Sequence, residues 1–142
     1  MRFLAAAPLL LLPVAAYNLF FLGLADRLWT AGAHARLTAP LFTLTTAPGG
    51  VWPVSVADLM VAGGLVVMFI ELLKAAPSRR IALINHSLTL VLFVACLVEL
   101  LLAPACATST FFLITLMLLL DAVAGFIVTV ARHESEDEPE YR

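Results

Sequence analysis

The side chains able to do chemistry are few in this chain, and most lie inside apolar stretches. Asp121 is the clearest case. It stands near the middle of residues 108–131, TSTFFLITLMLLLDAVAGFIVTVA. As a helix that stretch would be about 36 Å long at 1.5 Å per residue, enough to cross a ~30 Å hydrocarbon core. A carboxylate at that depth costs roughly 2.5–3.5 kcal/mol on insertion scales, so it must face protein or water. Two roles fit it. As a functional group it carries a proton or cation, or anchors a polar ligand. As a structural group it is a protonated or hydrogen-bonded acid that holds helices together.

A second set is Asn85, Thr89, Cys96 and Glu99. Steps of four, seven and three residues put them on one helix face, the clearest polar stripe in the chain. The stripe reads either as one wall of a polar path or as the packed inner face of its helix, with Glu99 reaching the interface. Leu92 interrupts it, which favours packing. His86 projects about 100° round from Asn85. The expected partner for it is Glu71 or a backbone carbonyl. Glu71 and Lys74 are three residues apart and can pair on one face. No P-loop, GxGxxG, GxSxG or HExxH occurs, and no nucleophile–base pair stands out. The expectation is therefore no enzymatic activity, no cofactor and no metal site.

These groups must be positioned by membrane helices. The chain has 142 residues and is 63% hydrophobic, well above the ~45–50% of a soluble domain. A core of this length does not hide that much apolar surface, so lipid must. The pattern predicts an all-α membrane protein, a four-helix transmembrane bundle with helices near 3–25, 57–75, 81–103 and 108–131. Residues 1–131 then form one domain. The first run resembles a signal peptide at its start, but it continues through Leu22, longer than a signal core, so it reads as a retained helix. Asn18 is its strongly polar side chain and is expected to bond a neighbouring helix. Gly63, Gly64 and Gly125 are the candidates for close helix packing.

Between the first two helices, Leu41–Thr46 and Val51–Ser55 are rich in β-favouring residues and flank Ala47-Pro48-Gly49-Gly50. That predicts a short β-hairpin over residues 41–55. Ser55 or Asp58 can cap the helix that follows. Cys96 and Cys106 lie at different depths and outside any CxxC, so both are expected free. Five of the ten acids fall in the last nine residues, and 132–142 reads as a disordered acidic tail.

Lys74, Arg79 and Arg80 flank the turn between the second and third helices, whereas the 104–107 loop carries no charge. Positive-inside logic puts both termini and the tail in the cytoplasm and the hairpin outside. Seven arginines against one lysine point to a GC-rich bacterial genome, hence to a bacterial inner membrane. No basic patch fits nucleic acid. The function expected first is that of an accessory, assembly or stabilising subunit of a larger membrane complex. The alternative is a small oligomeric proton-coupled carrier using Asp121 and the Glu99 face. The partners are thus the lipid bilayer and a larger membrane-protein complex or a homo-oligomer.

Overall fold

The computed structural model describes residues 7–22, 32–47, 49–74 and 79–136. In order, these form α1 (Leu11–Leu22), α2 (Gly32–Thr38), β1 (Pro40–Thr46), β2 (Gly50–Ser55), α3 (Val56–Leu73), α4 (Arg79–Leu102) and α5 (Ser109–Glu136). Within α3, α4 and α5 there are three stretches long and apolar enough to cross a membrane: Val56–Leu73, Ile81–Leu102 and Ser109–Val128. The fourth apolar helix, α1, is shorter over its described length.

The long helices alternate in direction. Ala7 and Leu9 meet the end of α3 at Lys74 and Glu71, while Pro13 lies beside Gly64. Tyr17 meets Thr108 and Phe111 at the start of α5. The ring of His86, near the start of α4, rests on Gly125 late in α5. So α1 and α4 run one way, α3 and α5 the other.

α5 is the central element. Of its spanning stretch 44% is buried, against 11% for that of α3 and 17% for that of α4. Its inward residues Phe111, Ile114, Met117 and Leu118 form the core with Leu10, Val14 and Tyr17 of the first segment and Cys96 of α4. Their spacing of three, three and one is the inward stripe of an α-helix. The outward faces of α3 and α4 are left apolar and exposed, as a lipid-facing surface requires.

Local chemistry sets the element ends. Pro8 and Pro13 fall around the first turn of α1, where a backbone N–H has no intrahelical acceptor to lose. α3 starts with a full capping box: the Ser55 hydroxyl accepts from the Asp58 N–H at 3.3 Å, and the Asp58 carboxylate accepts from the Ser55 N–H at 2.8 Å. The thiols of Cys96 and Cys106 are both free and buried.

The hairpin forms with each strand starting one residue earlier than the pattern predicts, at Pro40 on the open end and at Gly50 beside the turn. Its register pairs Phe42 with Val54, Thr43 with Pro53, Leu44 with Trp52, Thr45 with Val51 and Thr46 with Gly50, with an irregularity between Pro40 and Phe42. Gly49 has φ 86°, and its N–H donates to the Thr46 carbonyl at 2.8 Å. A residue in that left-handed conformation is what a three-residue hairpin connection demands. Pro53 is tolerated because a two-stranded sheet consists of edge strands only.

Two stretches differ from expectation. Residues 32–38, to which the sequence pattern assigns no element, form the short helix α2. Seven residues do not make a stable helix alone; Leu37, fully buried, docks this one, and the Thr38 hydroxyl closes its last turn on the His34 carbonyl at 3.0 Å. The tail, expected to be disordered from residue 132, continues as helix to Glu136. Extending an existing helix needs no new nucleus, so polar residues suffice. The remainder of the acidic tail, with Arg2, Trp29 and Ser78, lies outside the described residues.

Candidate functional site

Glu71 is the hub of a polar cluster near the end of α3. The side chain is nearly fully buried. One carboxylate oxygen accepts the Leu9 N–H at 2.8 Å, just before α1 begins. An acid from another helix thus caps α1 at the end where backbone N–H groups lack acceptors and negative charge is favoured. The other oxygen accepts from the Asn85 side-chain amide and from Lys74 Nζ, the latter at 3.2 Å. Lys74 Nζ also donates to the Ala7 carbonyl at 2.9 Å. The Glu71–Lys74 pair expected from the spacing forms, and it is part of an internal tie joining α1, α3 and α4.

Asn85 carries the cluster inward. With its amide N–H on Glu71, its Oδ1 is left without a partner. One turn on, the Thr89 hydroxyl, fully buried, donates to the Asn85 carbonyl at 3.1 Å. Thr89 also interacts with Asp121 across the α4–α5 interface, and Glu71, His86 and Lys74 act on that carboxyl electrostatically. Asp121 is 1% exposed, and beyond that loose contact with Thr89 neither of its oxygens has a hydrogen-bond partner. A buried polar group without a partner is rare, because burial strips its water and returns nothing.

His86, on a different face of α4 from Asn85, packs onto α5. Its ring occupies the space above Gly125, one turn beyond Asp121, where any side chain would collide with it. Its Nδ1 is buried and unpartnered. The residue that bonds Glu71 is Asn85, not His86. The buried, unpartnered side-chain atoms among the described residues are thus Asn85 Oδ1, His86 Nδ1, Asp121 Oδ1 and Asp121 Oδ2. His86 and Asp121 lie where α4 meets α5, whereas the Asn85 side chain turns to Glu71 of α3.

Glu99, at the far end of the Asn85–Thr89–Cys96 stripe, belongs to a separate group. It accepts from the Asn18 side chain at 3.3 Å, the bond to a neighbouring helix expected of Asn18. Nearby, the Tyr17 hydroxyl lies 2.6 Å from Thr108 Oγ1 and donates to the Ala105 carbonyl at 3.2 Å. Two polar knots, one at each end of α1, therefore clamp it to the rest of the bundle. Cys96 sits in the apolar core between them.

The three glycines have different places. Gly64 is buried, and a Cβ there would stand 3.0 Å from Met117 Sδ and 3.8 Å from Pro13 Cβ. Gly125 admits His86. Gly63 meets nothing within 4 Å and faces outward from α3. No group of three or more His, Cys, Asp or Glu side chains able to hold a metal ion occurs among the described residues. Glu71 as a cap for α1 was not legible beforehand, because the cap spans 62 residues of sequence. No protein-family model matches the chain, and neither curated proteins nor solved structures yield a match.

Proposed function

We propose that the protein is a small four-span subunit that assists, assembles or stabilises a larger complex in a bacterial inner membrane. Both termini are cytoplasmic on this reading, because Lys74, Arg79 and Arg80 flank one short turn. The hairpin then projects outside. The observation that carries the reading is the hairpin's apolar face. Register puts Phe42, Leu44, Trp52 and Val54 on one side of the ribbon. Val54 is buried at the base, but Phe42, Leu44 and Trp52 remain 48%, 44% and 56% exposed. A lone two-stranded ribbon is marginal in water. This one adds an apolar strip and two unpaired edges, the features through which a partner adds a strand or covers a face.

Purification in mild detergent followed by mass spectrometry tests the reading. A large partner should co-purify in stoichiometric amount and be lost in the double variant Phe42→Ser, Trp52→Ser. Recovery of the chain only as a homo-oligomer would refute it. Orientation is tested by labelling Thr45→Cys from outside intact cells: Thr45 is exposed in β1, and no reaction there would reverse the assigned topology. The unpartnered acid Asp121 favours a second reading, a small proton-coupled carrier.

A further inference from the structure

We infer that the outer edge of β1 is a self-association site, at which a second copy of this chain adds its own β1 in antiparallel register centred on Leu44. This goes beyond the accessory role proposed above: it uses the edge of the strand and leaves the apolar face of the ribbon to a larger partner. Alternation along the strands decides which main-chain groups are free. The Thr46 carbonyl accepts from the Gly49 N–H at 2.8 Å, so it points towards the β2 side. In a strand the N–H and C=O of one residue point the same way, and successive residues alternate. The main chain of Leu44 therefore faces β2, and that of Thr43 and of Thr45 turns away from it. Their ladder partners Pro53 and Val51 likewise turn away from β1. The outer edge of β2 thus has a proline where an added strand needs a donor. The outer edge of β1 keeps the donors and acceptors of both threonines. β1 is exposed over its whole length, and among the described residues only β2 pairs with it.

The chemistry of that edge names its occupant. Edge strands are ordinarily protected by a charged side chain, a proline or a bulge. From Leu37 to Ala57 the chain carries no charged residue, and the irregularity in the ladder lies at the Pro40 end, before Phe42. Two copies of β1 therefore meet without like-charge repulsion, and the strand is complementary to itself. With the two-fold axis at Leu44, that residue stands opposite Leu44 of the second copy. Thr43 stands opposite Thr45 of the second copy, and the two exchange both main-chain hydrogen bonds. Threonines opposite one another are a favourable cross-strand pair. On the apolar side, the Trp52–Leu44 pair of one copy runs on into the Leu44–Trp52 pair of the other.

The membrane suits this symmetry. The two-fold axis of an antiparallel pair stands normal to its sheet, and copies inserted the same way round are related by an axis normal to the membrane. β2 runs directly into the spanning stretch of α3 through the Ser55 cap, so each copy carries its edge at the same height. Confinement to one plane, height and orientation raises the effective concentration of one β1 at another.

The test is thiol cross-linking of the full chain in liposomes, beside single-molecule photobleaching counts of its oligomeric state. Leu44→Cys puts two thiols on a non-hydrogen-bonded pair with Cα atoms about 4.5 Å apart, within reach of a disulfide. Oxidation by copper phenanthroline should convert most of it to a covalent dimer. Val51→Cys, at the blocked edge, should not cross-link, and neither should the wild type, whose two cysteines are buried. Thr43→Lys with Thr45→Lys sets like charges opposite each other and should weaken association about tenfold. Thr43→Lys with Thr45→Glu sets opposite charges there and should preserve it. Both double variants place charge at the same exposed positions, so a difference between them is not a folding effect. A wild type that bleaches as a monomer at every protein-to-lipid ratio would overturn the inference. So would equal cross-linking of Leu44→Cys and Val51→Cys, or equal association of the two charged variants. A dimer that purifies with no larger partner would refute the accessory role and support the pairing of β1, and a monomer held inside a larger complex would do the reverse.

Discussion

Truncation of Glu71 is the sharpest perturbation of this bundle, since one carboxylate there joins three parts of the chain. Glu71→Ala removes the acceptor for the Leu9 N–H, the acceptor for the Asn85 amide and the counterion of Lys74. Hydrogen bonds between membrane helices average ~0.6 kcal/mol, so the two links to other segments amount to about 1 kcal/mol. The charge adds to this. Stranding a fully buried ion costs roughly 3–5 kcal/mol, but the Lys74 side chain is 19% exposed and keeps the Ala7 carbonyl, so its share is smaller. We expect a total loss of about 2–3 kcal/mol for Glu71→Ala. Glu71→Gln keeps one carbonyl oxygen, so it should lose roughly half as much, since hydrogen bonds to neutral acceptors are about half as strong. The assay is reversible unfolding of the purified protein in mixed micelles with rising SDS. Leu9, at the cap, should lose amide-exchange protection before Phe111 in the core does. Unchanged stability in Glu71→Ala, or equal losses for Ala and Gln, would refute the account of Glu71 as a charged cap.

The remaining predictions are briefer. Gly125→Ala should cost about 1–3 kcal/mol by forcing the His86 ring aside, whereas Gly63→Ala should stabilise α3 by up to about 1 kcal/mol; the same SDS titration reads both. Asp58→Ala removes half of the capping box and should cost about 1 kcal/mol. Burial, with the nearby Glu99 charge, raises the thiol pKa of Cys106. Its thiolate is therefore scarcer than that of an ordinary cysteine at the same pH, and maleimide labelling should accelerate only above the usual thiol range. Labelling at neutral pH as fast as that of a free peptide thiol would contradict this. Asp121→Leu should destabilise the α4–α5 seam more than Asp121→Asn does, because Asn still bonds; equal stability of the two in the SDS titration would show that the polar group is not needed for packing.

Composition and period by themselves determined the membrane class, the three long apolar helices and the hairpin. These follow from local rules: twenty apolar residues match a bilayer, and Gly49 with β-favouring flanks makes a turn. The stripe on α4 was equally legible, because a helix repeats every 3.6 residues whatever surrounds it. The partners of those side chains were decided only by tertiary structure. The sequence equips Glu71 for a pair with Lys74, but its role as cap for α1 needs Leu9 brought alongside from 62 residues away. The seat of His86 on Gly125 depends on how α4 and α5 rotate against each other, and the outward aspect of Gly63 on how α3 is turned against the bundle. α2 forms because Leu37 finds a buried site, not because seven residues hold a helix alone. A side chain's type and spacing are local properties of the chain; which donors reach it, and whether any is left for Asp121, is set by long-range packing.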